Sequence, residues 1–370
     1  MKVLLTGADG FIGKNVCLAL SERPNVEVLR VTRNTDDRTI AGYLSLADAV
    51  VHLAGVNRPG DPSEFGTGNA DFTARLVNGL RRVGRSVPIA FSSSIQAERD
   101  NPYGISKAAA ERALESYSAD MGAAVAAYRL PNVFGKWARP DYNSVVATFC
   151  HNIARGLPIE VHDPSSPLRL VYIDDVVAEF LRFLDSPVEG FARPTIAPEY
   201  STTVGWLAEK IYAFGEVRSS LVSERVGEGL VRALYSTYVS YLPTSAFSYT
   251  VPAHGDQRGI FVEMLKTKDS GQVSFFTAHP GVTRGGHYHH TKTEKFLVIR
   301  GRALFRFRHM ATNERFELET SGDESVIVET IPGWSHDITN VGADEMVVIL
   351  WANEIFDRNR PDTIASKVDQ

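Results

Sequence analysis

The chain has 370 residues, enough for two domains of ordinary size, each with its own core. It is 44% hydrophobic and 22% charged, with a net charge of −5, so it lacks the basic footprint that nucleic acid or an anionic membrane surface would require. No run approaches the ~18 apolar residues of a membrane span, and the start MKVLLTGADG has no apolar signal core. Cys17 and Cys150 lie in apolar, helical-looking stretches. A cytoplasmic protein with reduced thiols is expected.

Lys2 to Thr6 reads as a short buried strand that runs into Gly7, Gly10 and Gly13 in the frame G-x-x-G-x-x-G. Helical periodicity follows from Lys14 to Leu20. Strand, glycine turn and helix together suit a dinucleotide, whose pyrophosphate rests on unpaired amides at the helix start. A second strand, Val26 to Val31, ends where a NAD site carries an acid. The sequence offers Thr32 and Arg33 instead, with acids only at Asp36 and Asp37. A hydroxyl and a guanidinium suit a 2′-phosphate, which favours NADPH.

A third strand spans Ala47 to Leu53 and leads to HLAG at 52–55. A helix from about Phe65 to Val83 follows, then a strand from Pro88 to Phe91 that delivers Ser92 to Ser94. The next helix runs from Tyr103 to Met121, and a strand from Ala123 to Arg129. Alternating strands and helices predict a parallel sheet covered on both faces, a Rossmann-like doubly wound α/β fold with ligands at the strands' carboxyl ends. Tyr103 and Lys107 share a helix face at i, i+4. An ammonium there would favour the phenolate and lower the phenol's pKa, and a serine at the preceding strand end could bind the same substrate oxygen.

The ordered motifs over the first ~240 residues resemble the extended short-chain dehydrogenase/reductases. They are the glycine frame, H-L-A-G at 52–55, S-S-S at 92–94, Y-G-x-S-K at 103–107, R-L-P-N-V-F-G at 129–135 and V-Y-I-D-D-V at 171–176. The resemblance implies Ser94, Tyr103 and Lys107 as catalytic residues. It implies Gly7, Gly10, Phe11, Ile12, Gly13, Thr32, Arg33, Leu53, Ala54 and Gly55, with Tyr103 and Lys107, around the cofactor. Asn132 and Arg169 match positions that contact a nucleotide sugar. Only eight residues separate Ser94 from Tyr103, fewer than in most of that family, so the pocket there should be reshaped.

Glu216 to Glu228 reads as linker, followed by the tyrosine-rich run LYSTYVSYLPTSAFSY at 234–249. That run is either an arm packed on something else or a linker folded over its own domain. The boundary is placed at 1–243 against 252–370, with the arm between about 234 and 251. From Arg258 onward, short alternating strands, from GIFVEML to EMVVILW, predict an all-β sandwich or barrel. Within it lie His287, His289 and Glu294 between Gly281 and Gly301, then Pro332, Gly333, His336 and Asn340. Three imidazoles and a carboxylate inside a barrel suit a divalent metal, zinc foremost.

These two motifs resemble those of the cupins. A reductase followed by a cupin, joined by YSTYVSYLP, closely resembles the bifunctional capsular-polysaccharide enzymes of the CapF type. That resemblance implies a UDP-linked 4-keto-6-deoxy amino sugar as substrate, on a route to UDP-N-acetyl-L-fucosamine, and a homodimer. The cupin would epimerise carbon 3 of UDP-2-acetamido-2,6-dideoxy-β-L-arabino-hexos-4-ulose. The reductase would then use NADPH at carbon 4 to give UDP-2-acetamido-2,6-dideoxy-L-talose. With all four cupin ligands on a metal, the epimerase base would be Lys295, His290 or a barrel tyrosine. The alternative is a reductase whose cupin only dimerises or binds sugar.

Overall fold

The computed structural model describes residues 1–61, 63–256, 259–262, 264–267, 271–354 and 359–370. The expected strand GIFVEML lies partly outside the described residues. Packing divides the chain into two units, Met1–Val133 with Arg169–Ser201, and Phe134–Leu168 with Thr202–Gln370. Compactness therefore groups residues 202–251 with the β-rich half, whereas the boundary near 243–252 follows chain order.

The first unit is built on a six-stranded parallel sheet. Its strands are β1 (Lys2–Thr6), β2 (Glu27–Val31), β3 (Ala49–His52), β4 (Ile89–Ser94) and β5 (Val125–Leu130), with Phe191–Ala192 at one edge. The spatial order β2-β1-β3-β4-β5 reverses direction between β1 and β3. That switch point leaves a crevice beyond their carboxyl ends, where α/β sheets bind ligands. The apolar runs read in the sequence are these strands, and Leu4, Val50, Ile89 and Phe91 are fully buried. Burying each such side chain contributes about 1.5–3 kcal/mol.

Helix α1 (Phe11–Ser21) packs on Ile173–Asp185. Helices α2 (Asp37–Leu46), α3 (Phe72–Arg82) and α4 (Pro102–Met121) pack in succession, and their apolar residues share a core with Leu4, Val50 and Phe91. The sequence reading had no helix at α2. Its start is made by Asp36, whose carboxylate accepts from Thr39 N at 2.8 Å. The helix expected from Phe65 begins with a π-helical turn, Gly66–Asp71, before α3.

The short connection from Ser94 to α4 is a 3-10 turn, Ile95–Glu98, and a capped start. Asn101 accepts from Gly104 N at 2.9 Å, and Pro102 occupies the first turn, where its missing N–H costs nothing. The turn lies so close to α4 that a Cβ on Gly104 would sit 2.1 Å from Gln96 O and 2.5 Å from Arg99 O. The shortened loop thus demands glycine at 104.

The second unit contains two five-stranded antiparallel sheets, as the alternating pattern predicted. One has the order Ser248–Thr250, Val326–Glu329, Glu294–Arg300, Met346–Ala352, Gln272–Ala278. The other runs Arg315–Ser321, Arg302–His309, Trp334–Asn340, Thr283–Tyr288, Ile364–Ala365. Gly301 turns the chain from one sheet into the other at φ +87, and a Cβ there would lie 3.0 Å from Met346 Cα. Glycine alone meets both demands.

The tyrosine-rich run packs inside this unit. It forms the helix Gly229–Ser240 and the edge strand Ser248–Thr250. Tyr235 and Tyr238 are buried against Phe214 of the helix Val204–Ser220, at ring distances of 5.2 and 6.0 Å. Much of the stretch 216–228 read as linker belongs to that helix and the turn after it.

The glycines give a paired test. Gly104→Ala should destabilise the protein by about 1–3 kcal/mol in denaturant unfolding, because rigid backbone oxygens block the new methyl. Gly42→Ala, in open space on α2, should stabilise it by up to about 1 kcal/mol. Equal effects would contradict the packing described.

Candidate functional site

The carboxyl ends of β1 and β3 form a cradle. Gly7 has φ +70, and a Cβ there would lie 2.8 Å from Ala54 N, so the loops holding Gly7 and Leu53–Gly55 touch through backbone. Gly13 carries a second requirement: its Cβ would fall 2.1 Å from Gly7 O. Thr6 Oγ1 accepts from Leu53 N and Ala54 N, both at 3.1 Å. Gly10 caps α1 without a side-chain hydrogen bond, which leaves the amides around Phe11 and Ile12 free of a competing cap. These residues fit a dinucleotide's pyrophosphate.

His52, from the H-L-A-G motif, lies outside this chemistry. Its ring is fully buried, bridging Thr6 Oγ1 at 2.7 Å and Thr73 Oγ1 at 2.9 Å. Burial, with Lys107 nearby, lowers its pKa to about 3, so it stays neutral and structural.

At the adenosine end, Gly7 N and Ala8 N donate to Val31 O at 3.0 and 3.3 Å and bring Thr32 beside the glycine loop. Thr32 Oγ1 accepts from Asn34 N. Arg33 is exposed, and Arg30 pairs with Asp9 at 2.9 Å. Asp36 is committed to its helix.

The Ser94 hydroxyl lies near enough to the Tyr103 phenol to act on its pKa. Ser94 Oγ also accepts from Gln96 N at 3.1 Å. Lys107 is buried, and its ammonium donates to Ser92 O at 2.9 Å, 4.9 Å from the Phe91 ring centroid and 6.0 Å from that of Tyr103. The structure corrects the expected phenol pKa. Burial raises it, and the nearby Ser94 hydroxyl only partly opposes that. Lys107 points to a carbonyl and does not depress it. Desolvation instead pulls Lys107 itself down to about 8, with Glu111 opposing.

Two supports carried no signal in the sequence reading. Asn69, buried on the π-helical turn, accepts from Val56 N at 2.8 Å and donates to Ser106 Oγ at 2.9 Å, tying the loop after Gly55 to α4. Glu111 accepts from Ser93 Oγ at 2.5 Å, from Arg129 at 2.7 and 2.9 Å, and from Arg193 at 2.9 Å. Its burial pushes the carboxyl up, yet the bonds from Arg129, Ser93 and Arg193 hold it below the ordinary range. Asn132 Nδ2 donates to Arg169 O at 3.1 Å, and the Arg169 guanidinium forms a bidentate pair with Glu199 at 2.5 and 2.9 Å. The two expected sugar contacts are therefore neighbours.

In the second unit His287, His289, Glu294 and His336 converge, with ligand atoms all within 4.8 Å of one another. His287 and His336 are opposite each other on paired strands, and Glu294 comes from the other sheet. Glu294 Oε2 lies 3.2 Å from His289 Nε2 and 3.6 Å from His336 Nε2. Neither ring nitrogen of His336 has a hydrogen-bond partner among the described residues, although the ring is buried. An orphaned imidazole beside a buried carboxylate fits a cation's first shell. Burial and the neighbouring His336 and His289 lower His287 to about 3, which keeps it in the ligating form. Burial would raise Glu294, but the neighbouring His289, His336 and Lys292 hold its carboxyl well below the ordinary range.

The cluster faces a cavity of about 260 Å³ lined also by Arg284, Lys292, Phe296 and Asp337. Lys292 Nζ lies 2.7 Å from Glu294 Oε1. It sits inside the H-x-H-x4-E frame, a position whose role the spacing alone does not reveal. His290 stands outside the cluster. Lys295 is corrected as a candidate base. It is buried in an ion pair with Glu329 and bonded to Tyr249 Oη at 3.1 Å. Desolvation pulls its pKa down, but Glu329 outweighs that and fixes it as a cation. Tyr249 is taken up by the same network.

Among the described residues no helix is long and apolar enough to cross a membrane. The model of the NAD dependent epimerase/dehydratase family matches residues 3–196, and that of the polysaccharide biosynthesis C-terminal domain matches 254–364. A UDP-2-acetamido-2,6-beta-L-arabino-hexul-4-ose reductase of Pseudomonas aeruginosa is 56% identical over 370 residues, covering 100% of both chains. The crystal structure of the capsular polysaccharide assembling protein CapF from Staphylococcus aureus is 41% identical, covers 100% of both chains and superposes with a TM-score of 0.68. A UDP-glucose 4-epimerase of Thermotoga maritima, 24% identical over 58% of this chain and 82% of its own, shares the fold at a TM-score of 0.53.

The raised phenol is directly testable. In a titration of wild type against Tyr103→Phe, the phenolate absorbance of Tyr103 should emerge only above the ordinary tyrosine value of 10.0. Its appearance between pH 7 and 9 would restore the depressed phenol.

Proposed function

The chain is a CapF-like member of the NAD dependent epimerase/dehydratase family, and from that premise we propose that it processes a UDP-linked 2-acetamido-2,6-dideoxy-hexos-4-ulose in two steps. The second unit inverts carbon 3, and the first reduces the ketone at carbon 4 with NADPH to give UDP-2-acetamido-2,6-dideoxy-L-talose. The observation that carries the reductive half is the nearness of Ser94, at the end of β4, to the Tyr103 phenol, with Lys107 of the same helix against Gly55 of the glycine cradle. The name of the Pseudomonas aeruginosa relative supports the substrate, and the pairing with a polysaccharide biosynthesis domain supports capsular polysaccharide precursors as the destination.

In this reading the ketone oxygen sits between the two hydroxyls. The bound nicotinamide supplies hydride to carbon 4. Tyr103 gives its proton to the oxygen, and its raised pKa suits an acid that must be protonated at the outset. Ser94 orients the carbonyl. Lys107, fixed by Ser92 O and packed against Gly55, is placed to hold the nicotinamide ribose. NADPH is favoured because Thr32 and Arg33 stand where an acid would exclude a 2′-phosphate, while Asp36 is occupied. Asn132 and Arg169 are assigned to the sugar nucleotide.

For epimerisation, the hydrogen on carbon 3 is acidified by the adjacent ketone. His287, His289, Glu294 and His336 would hold a divalent metal, zinc foremost, which supplies Lewis-acid stabilisation of negative charge on that oxygen. Lys292 and Arg284 add fixed positive charge to the same cavity. A ring proton removed from one face and returned to the other inverts the centre, and reduction then makes the change permanent.

Two variants separate the halves. Tyr103→Phe should lose ketone reduction by ~10²–10⁴-fold while solvent deuterium still enters carbon 3 of the keto-sugar. The paired change His287→Ala and His336→Ala should abolish deuterium entry and leave NADPH oxidation on a pre-epimerised substrate intact. Undiminished exchange in a folded double variant would assign the cupin to binding or dimerisation instead.

A further inference from the structure

The segment from Asp362 to Asp369 is bound tightly to the strand that carries His287 and runs into His289. Ile364–Ala365 pairs with His287–Tyr288 as an edge strand. Ser366 N donates to Gly286 O at 2.8 Å, and Arg308 reaches Ser366 Oγ and Lys367 O, both at 3.0 Å. Arg306 bridges Asp337 and Asp369.

Asp362 makes the central contacts. Its backbone oxygen accepts from His289 Nδ1. A carbonyl can only accept, so Nδ1 carries the proton and Nε2 presents its lone pair to the cluster. The carboxylate meanwhile accepts from three successive amides: His290 N at 2.8 Å, Thr291 N at 2.7 Å and Lys292 N at 2.7 Å. Thr291 Oγ1 adds a fourth bond at 3.0 Å. Those residues form the loop between His289 and Glu294, and that loop also places Lys292 against Glu294.

We propose that Asp362 is a positioning residue of the metal centre: its carbonyl sets the tautomer and orientation of His289, and its carboxylate fixes the loop that spaces His289 from Glu294. The inference rests on the reading of the four-residue cluster as a metal site. Outer groups of this kind alter metal affinity by about 10–100-fold when removed. Seventy-three positions separate Asp362 from His289. No short spacing in the sequence could have linked them.

The test is titration of full-length apoprotein with Co(II), whose visible spectrum reports both occupancy and coordination geometry. Wild type should take up one ion. Asp362→Ala should bind it about 10–100-fold more weakly, with an altered spectrum at saturation. Asp362→Asn keeps the volume but turns a donor toward the amides, and should weaken binding about threefold or more, which covers a failure of the alanine variant to fold. In a His289→Ala background the effect of Asp362→Ala should shrink to within about twofold, because the loop that the carboxylate holds no longer leads from a ligand at 289. Wild-type affinity in a folded Asp362→Ala or Asp362→Asn overturns the proposal, as does an undiminished loss in the His289→Ala background, which would mark Asp362 as a general brace. Wild type that takes up no Co(II) overturns the metal reading itself and this inference with it.

Discussion

Everything in the reductive site depends on how α4 is fastened to the end of β4. Tyr103, Lys107 and Glu111 form one stripe on the helix at successive spacings of four. Each faces one of three consecutive serines: Tyr103 lies near the hydroxyl of Ser94, Lys107 donates to the carbonyl of Ser92, and Glu111 accepts from the hydroxyl of Ser93. A buried ammonium and a buried carboxylate are costly alone. Here Lys107 has a carbonyl and two aromatic faces, and Glu111 has two guanidiniums. Removing any partner would leave a charge stranded, so the helix has one register on the strand. That register decides where the two hydroxyls meet.

The second unit uses the opposite solution. Its cluster gathers three imidazoles around a single carboxylate, whose other oxygen meets the Lys292 ammonium. Nearby, Lys295, Glu329 and Arg218 form a closed ion-pair network on the other side of the same strand. Alternation along a strand explains the division: Glu294 turns toward the cavity and Lys295 away from it. Adjacent residues of opposite charge thus serve separate purposes, one chemical and one structural.

Much of this was legible because the chemistry needs particular residues close together in sequence. The glycine turn, the Tyr103–Lys107 spacing and the H-x-H-x4-E frame are local, and the structure brings their members together. Helix α2 was missed because Gly42 interrupts its apolar residues and only Leu44 among them is buried; the Asp36 cap marks its start. The phenol's pKa was misjudged because spacing on a helix says nothing of where a long lysine side chain ends, and Lys107 reaches past the phenol to Ser92. The tyrosine-rich run stayed open between arm and linker because its burial depends on partners outside it, such as Phe214. Asn69, Glu111 and Asp362 act through long-range hydrogen bonds, for which a lone sequence offers no pattern.

The central claim is that Ser94 and Tyr103 act on one oxygen. A double-mutant cycle on the rate of ketone reduction measures this directly, with Ser94→Ala, Tyr103→Phe and the pair. Shared action predicts strong non-additivity, with the double variant within about threefold of Tyr103→Phe alone. Losses that multiply would show two hydroxyls working independently and contradict the account.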